Sequence, residues 1–291
     1  SIWYSSGAVP TFTNEGTLRK SAGTGVSKIG YYYALVFNNY SGTIDVPSGS
    51  LRINGADSFS GNSFITGGMV KLSGDGGGIS GVVNIGAGAT LDFAGGTRNF
   101  TGTTDFPGSG ILRLSNGTLS GSEIINVNTP MSWTGGYISV GEGGTGGFNL
   151  LPGKTLTIEG TDYKYLSNGK LTIEGQADWT GGRLYLNNGS YLKVNRDGLF
   201  DIKTDESIWY SSGAVPTFTN EGTLLKSAGT GETDLSYFYN LKFTNSGLVD
   251  ARTGTLNFSG INSFNDGSRF IGSGSNRVTN DAVLNGTITS E

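Results

Sequence analysis

The chain has 291 residues, of which 51 are glycine, 6 are proline and 35% are hydrophobic. It is too rich in glycine for an ordinary helical domain and too apolar for a disordered linker, so we expect a folded protein. The formal net charge of -4 gives no basic footprint and disfavours nucleic acid as a partner. The lack of cysteine and histidine excludes disulfides and thiolate chemistry and removes the commonest general base and metal ligand.

The first 25 residues, SIWYSSGAVPTFTNEGTLRKSAGTG, return at residues 207–231 with one difference, Leu225 in place of Arg19. The offset between the copies is 207 minus 1, or 206 residues, and weaker similarity continues beyond residue 26. The sequence therefore predicts one long repeat, 1–206, followed by the start of a second, 207–291. We expect the two to form a single continuous rod taken from a longer array.

Apolar residues recur two positions apart in both copies. Leu35 and Phe37 have identical counterparts in the second copy. Val36, which lies between them, is replaced there by Lys242. A conserved period of two with variable residues between is that of a β-strand with one buried face.

A shorter rhythm of Gly-Thr-Leu or Gly-Thr-Ile triplets, each followed by turn residues, begins at Gly16, Gly42, Gly117, Gly222, Gly254 and Gly286. Two Trp-Thr-Gly-Gly turns begin at Trp133 and Trp179, 46 residues apart, which fits two coils of about 23 residues. We predict an all-β parallel β-helix (β-solenoid) with roughly 20–25 residues per coil and about 14 coils. Aliphatic residues and Phe would fill its core, and Asn or Ser would form ladders at its corners.

An antiparallel sandwich or barrel is the competing fold. Asn-Gly pairs favour tight hairpins, and the chain has such pairs at Asn116, Asn168, Asn188 and Asn285, among others. We prefer the solenoid because the same Gly-Thr-Leu unit recurs along the whole chain.

Acidic residues are the candidate catalytic groups that the composition leaves. Glu159, Asp162, Glu174 and Asp178 lie close in sequence, and a solenoid could bring such carboxylates together for glycoside cleavage or Ca²⁺ binding. Scattered acids on a secreted rod normally only solvate its surface. We therefore predict no catalytic residue, no metal site and no cofactor.

Consecutive aromatic residues in both copies, such as those around Tyr32 and Phe238, require some rings to lie on the outer face. Exposed rings can stack on sugars or fill a neighbour's groove, and the alternative is packing against an adjoining coil. We name Tyr32, Tyr163, Tyr185 and Phe238 as candidate exposed contacts. Trp133 and Trp179 are expected in the core or at corners.

The stretches FNNYSGTIDV (37–46) and SGSL (48–51), with the Trp-Thr-Gly-Gly turns, resemble the repetitive regions of very large bacterial surface proteins of the filamentous-haemagglutinin and autotransporter-passenger type. The resemblance implies a right-handed parallel β-helix, an extracellular or cell-surface location and a role in adhesion or matrix. It transfers no catalytic residue.

We therefore predict a structural, non-enzymatic rod or fibre segment: a stalk, filament or adhesin. Its expected partners are neighbouring copies of itself, end to end or side by side, with surface glycans as a further candidate. No membrane insertion is expected, since no stretch approaches the roughly 18 apolar residues of a spanning helix. The alternative is a carbohydrate-binding or polysaccharide-degrading β-helix protein.

Overall fold

A computed structural model describes residues 1–3, 6–30, 35–141, 146–238 and 240–291. These residues form 37 strands joined by turns and bends, without a helix in the described ranges. The strands pair in parallel and stack as a β-solenoid of about 13 turns. The chain divides into two compact units, Ser1–Gly146 (unit 1) and Gly147–Glu291 (unit 2).

Unit 1 winds three strands into each coil. Its described strands are β1 (Thr11–Asn14), β2 (Thr17–Arg19), β3 (Val26–Ile29), β4 (Val36–Tyr40), β5 (Thr43–Asp45), β6 (Ser50–Ile53), β7 (Ala56–Ser60), β8 (Asn62–Thr66), β9 (Met69–Leu72), β10 (Gly78–Ile85), β11 (Thr90–Phe93), β12 (Thr97–Pro107), β13 (Ile111–Leu114), β14 (Thr118–Gly121), β15 (Ile124–Asn128), β16 (Met131–Trp133) and β17 (Gly136–Val140). One parallel sheet has the order β3-β6-β9-β11-β13-β16. Two further runs, β1-β4-β7 and β2-β5-β8, both pair with the long strand β10, which pairs in turn with the long strand β12.

Unit 2 repeats this architecture. Its described strands are β18 (Gly147–Leu150), β19 (Thr155–Ile158), β20 (Lys164–Ser167), β21 (Lys170–Ile173), β22 (Gln176–Trp179), β23 (Leu184–Asn187), β24 (Tyr191–Val194), β25 (Leu199–Ile202), β26 (Ile208–Trp209), β27 (Thr217–Asn220), β28 (Thr223–Lys226), β29 (Glu232–Asp234), β30 (Lys242–Asn245), β31 (Leu248–Ala251), β32 (Thr255–Phe258), β33 (Ile261–Phe264), β34 (Arg269–Ile271), β35 (Ser275–Val278), β36 (Ala282–Leu284) and β37 (Thr289–Ser290). The parallel runs are β19-β22-β25-β28-β31-β34-β37, β18-β21-β24-β27-β30-β33-β36, β20-β23-β26 and β29-β32-β35.

The coil length varies along the chain. Paired residues in adjacent coils are 19 positions apart from Thr118 to Tyr137 and 26 positions apart from Tyr191 to Thr217. The predicted parallel β-helix is confirmed, with about 13 turns in place of about 14. Corner loops of different length account for most of the spread, and the pairing of β10 with β12 also shifts register between Ile79 and Gly81.

The core consists of inward-facing residues stacked in columns. In unit 1, Ile53, Leu72, Phe93, Leu114 and Trp133 lie directly over one another, and each is buried. Burying a side chain of this size stabilises the fold by about 1.5–3 kcal/mol. The sequence predicts the tryptophans of the Trp-Thr-Gly-Gly turns in the core or at corners, and both are in the core, since Trp179 in unit 2 is also buried.

The Asn-Gly pairs form corners of the solenoid. Asn168 and Asn188 directly follow β20 and β23 and have φ angles of 54° and 53°. Asn188 Nδ2 donates a hydrogen bond to Ser167 Oγ at 2.8 Å, one coil away. A left-handed Asn serves a coil corner as well as a hairpin, so this dipeptide alone does not distinguish the two folds.

A buried asparagine ladder links successive coils of unit 1, as the sequence predicts. Asn14 Nδ2 donates to Asn39 Oδ1 at 2.7 Å. Asn39 Nδ2 donates in turn to Ser63 Oγ and to the carbonyl oxygen of Gly42, both at 2.9 Å. The ladder satisfies polar groups that would otherwise be buried without partners.

The same ladder forms in unit 2. Asn220 Nδ2 donates to Asn245 Oδ1 at 2.7 Å, and Asn245 Nδ2 donates to the Gly247 carbonyl at 3.0 Å. Because Asn220 and Asn245 lie 206 residues after Asn14 and Asn39 in the sequence, the two copies build the same corner.

We predict that Asn39→Ala lowers the free energy of unfolding by about 2–4 kcal/mol, because it leaves buried partners unsatisfied. Asn245→Ala should have a similar effect in unit 2. Urea denaturation followed by circular dichroism measures both. Asn116→Ala, at an exposed turn, is the control and should change stability by less than about 0.5 kcal/mol. Equal midpoints for Asn39→Ala and Asn116→Ala would contradict a stabilising ladder.

Candidate functional site

Four aromatic residues of unit 2 lie in register on consecutive coils and define an aromatic ladder: Tyr165, Tyr185, Trp209 and Tyr237. They belong to β20, β23, β26 and a bridge residue of the next coil. They face outward because alternate strand positions are inward, as at the buried Leu184 beside Tyr185. Parallel pairing then places each ring above the ring of the preceding coil.

The rings of the ladder contact one another. Tyr165 and Tyr185 stack with centroids 4.9 Å apart and planes at 21°. Trp209 stacks on Tyr237 at 4.1 Å and 29°, and the two pairs meet where Tyr185 and Trp209 lie 6.0 Å apart. Such pairs add about 0.5–1.5 kcal/mol each beyond the area they bury.

Tyr163, Phe238 and Arg183 flank the ladder. The Arg183 Cζ lies 4.3 Å from the ring centroid of Trp209 and 5.6 Å from that of Tyr163. Its Nε also lies 3.9 Å from an oxygen of Glu206. A hydrogen bond with Tyr185 raises the pKa of Arg183 above its usual range. The guanidinium group therefore stays charged, and it contacts rings of different coils through cation–π interactions.

A buried lysine lies on the inward side of the same strands. Lys164 Nζ donates to the carbonyl oxygens of Gly160 at 3.2 Å and Gly181 at 3.0 Å. Burial lowers the pKa of Lys164 from its usual value. The hydrogen bonds of Lys164 link two corner loops behind the aromatic ladder. Its ammonium group does not lie on the outer surface of the ladder.

Ring stacking limits what the ladder can bind. The central rings cover each other's faces, so they mainly hold coil against coil. Tyr163, Tyr237 and Phe238 remain 46%, 41% and 57% exposed at the two ends of the ladder. Only these end rings offer a face on which a planar or sugar-like ligand can stack.

Three of the four aromatic residues selected from the sequence lie in this one cluster: Tyr163, Tyr185 and Phe238. Tyr32 lies outside the described residues. Tyr165 and Arg183 were missed, although Tyr165 stands two positions after Tyr163 and 20 before Tyr185, which is one coil.

Two of the acidic residues selected from the sequence, Glu174 and Asp178, have separate partners. Asp178 forms an ion pair with Lys203 Nζ at 3.1 Å, and Glu174 accepts a hydrogen bond from Asn195 Nδ2 at 3.2 Å. Within the ranges that the structure describes, no three His, Cys, Asp or Glu side chains are grouped so as to hold a metal ion.

The most perturbed carboxyl is Asp57, in the interior of unit 1. Its Oδ2 lies 2.8 Å from Nη2 of Arg98, and both side chains are buried. Arg98 also donates to the carbonyl of Gly74 and passes Gly76, where any Cβ would overlap the arginine side chain. A glycine-rich segment therefore lets Arg98 cross one coil and reach Asp57 two coils away.

Burial raises the pKa of Asp57 from 3.8 to about 7, against the opposing attraction of Arg98. Burial likewise lowers the pKa of Arg98. The corresponding residue of the second copy is Asn262, whose Nδ2 donates to the carbonyls of Phe258 and Gly260. The second copy thus has a neutral side chain at the position equivalent to Asp57, and this side chain is hydrogen-bonded without an ion pair.

We predict that the unfolding free energy falls as the pH rises from about 4 to about 7. The folded state holds the Asp57 proton more tightly than the unfolded state, so this contribution is complete below pH 3.8 and is lost through about pH 7. The total change from this group is at most about 4 kcal/mol. Urea melts at a series of pH values measure it.

The control is the double variant Asp57→Asn with Arg98→Met, which removes both charges together. The free energy of unfolding of this variant should not contain the pH-dependent contribution of Asp57. At pH 7 it should be similar to or greater than that of the wild type. Parallel pH profiles for the two proteins would show that Asp57 does not titrate in this range.

Within the described ranges, we find no helix with the length and apolarity needed to cross a lipid bilayer. No protein-family model matches the sequence, and neither a curated protein nor a solved structure matches it. The relation to large bacterial surface proteins therefore stays a prediction from the sequence.

Proposed function

We propose that this chain is a structural, non-enzymatic segment of a large extracellular repeat protein, serving as part of a stalk, filament or adhesin. The observation that supports this most is the asparagine ladder built twice from the same repeated residues, Asn14 with Asn39 and Asn220 with Asn245. A fold that rebuilds the same corner after 206 residues can be extended by adding repeats.

Coil stacking gives a physical basis for such a segment. Within each unit, strands pair with those of the coils before and after, so stability grows with each added coil. The resemblance to surface-protein repeats supports a location outside the cell, and neighbouring copies of the chain are the partners that we propose.

We predict that chains carrying two and three copies of the 206-residue repeat differ in length by a constant increment. One repeat corresponds to about nine coils, and at about 4.8 Å per coil it should add about 43 Å. Negative-stain electron microscopy and small-angle scattering measure the increment. Chains that fold back into compact particles of nearly constant maximum dimension would contradict the proposal.

Carbohydrate binding is the second candidate, and the exposed rings at the ends of the aromatic ladder favour it. Tyr237 and Phe238 adjoin each other with centroids 4.9 Å apart, and Tyr163 presents a third exposed ring. Arg183 lies beside them and could donate to sugar hydroxyls. Polysaccharide cleavage would need a catalytic carboxylate pair beside these rings, and we propose binding alone.

We predict that Tyr237→Ala with Phe238→Ala abolishes retention of the chain on any neutral glycan that it binds, with a loss of about tenfold or more in affinity. A glycan array followed by affinity electrophoresis measures this. Tyr40→Ala is the matched control, because Tyr40 is 42% exposed but lies in unit 1. Wild-type retention by the double variant, or no glycan retained by the wild type, would eliminate this second candidate.

A further inference from the structure

One sheet of unit 1 carries a straight column of basic side chains. Lys28, Arg52, Lys71, Asp92 and Arg113 pair in register on β3, β6, β9, β11 and β13, and we call them the basic column. Four of the five are cations. At about 4.8 Å per coil, the column spans about 19 Å.

Stacking like charges on adjacent strands costs stability, so such a column needs a compensating role or partner. Among the described residues, no carboxylate lies within ion-pair distance of Arg52, Lys71 or Arg113. Asp92, the only acid in the column, is 1% exposed and accepts a hydrogen bond from Ser115 Oγ at 2.7 Å. The outer surface of the column is therefore positive.

In unit 2, acidic side chains stack on adjacent coils, and nearby cations neutralise them. Asp178 and Asp201 pair in register on β22 and β25, and Lys203 Nζ lies 3.1 Å and 3.4 Å from their oxygens. Asp250, on β31, has its own cation, Arg252, at 2.8 Å. Arg52, Lys71 and Arg113 of the basic column have no comparable set of counter-charges among the described residues.

A second column runs beside the basic column, two residues earlier in each strand. It contains Val26, Ser50, Met69, Thr90 and Ile111, of which Val26 and Ile111 are exposed. This surface has small or apolar groups next to a row of cations. The ring of an acidic sugar carries an apolar C–H face and a carboxylate at one edge, so it can contact both columns at once.

We propose that the basic column and its apolar neighbour bind a linear acidic polysaccharide with one carboxylate on each sugar, in single file along the solenoid. The cations meet the carboxylates, and Val26, Met69 and Ile111 contact the ring faces. A single row of cations on a chain of net charge -4 suits a sparsely charged polymer better than a nucleic acid. This site goes beyond the structural role proposed above.

The experiment uses the full chain and measures affinity for polygalacturonate, dextran and a single-stranded oligothymidylate by affinity electrophoresis at several salt concentrations. Binding to polygalacturonate alone, weakened by salt, is the expected result. Arg52→Gln with Lys71→Gln should reduce this affinity by about tenfold or more. Arg196→Gln with Lys242→Gln removes two exposed cations of unit 2 and should leave it within about twofold.

Asp92→Asn provides a test in the opposite direction. It removes the only acid of the basic column, retains an oxygen acceptor for Ser115, and should tighten polygalacturonate binding several-fold. Thermal melting of Arg52→Gln with Lys71→Gln should show an unchanged or higher midpoint, because like charges have been removed.

Four results would each overturn the proposal. These are equal losses in the two double variants, no gain for Asp92→Asn, binding of oligothymidylate as tight as that of polygalacturonate, and a lower melting midpoint without Arg52 and Lys71.

Discussion

The structure depends on one constraint, the parallel backbone hydrogen bonds that hold each coil in register with the next. At about 4.8 Å, a side chain lies in contact with its counterpart one coil away. Each residue therefore has to be compatible with the residue at the same position of the neighbouring coil. Asparagine meets this condition well, since the amide of Asn14 donates to that of Asn39 and the amide of Asn39 continues the chain of hydrogen bonds.

The same constraint explains both surface features of interest. Stacked rings stabilise one another, so the aromatic ladder from Tyr165 to Tyr237 strengthens unit 2 while only its end rings remain exposed. Stacked cations repel one another, so the column containing Arg52 and Lys71 weakens unit 1 until a polyanion neutralises it. In-register stacking on adjacent coils thus stabilises the fold where the side chains are aromatic and forms a binding surface where they are basic.

The Asp57–Arg98 pair is a departure from nearest-neighbour stacking. Arg98 reaches across a whole coil, and only a residue without Cβ at Gly76 leaves room for it. The pair places two ionisable groups in the buried interior of unit 1. Asn262 occupies the equivalent position in the second copy, which shows that the coil does not require the charges to fold.

The sequence by itself determined the fold class, because a period of two, a recurring turn and a repeat near 23 residues are local properties of the chain. It also predicted that Trp133 lies in the core or at a corner and that Asn or Ser forms ladders at the corners. Only the tertiary structure decided which side chains meet. Tyr185 lies 20 residues after Tyr165 but 24 before Trp209, and the cations of the basic column are separated just as unevenly. Corner loops change the residue count between coils while hydrogen bonding preserves the register, so alignment across coils cannot be counted along the sequence.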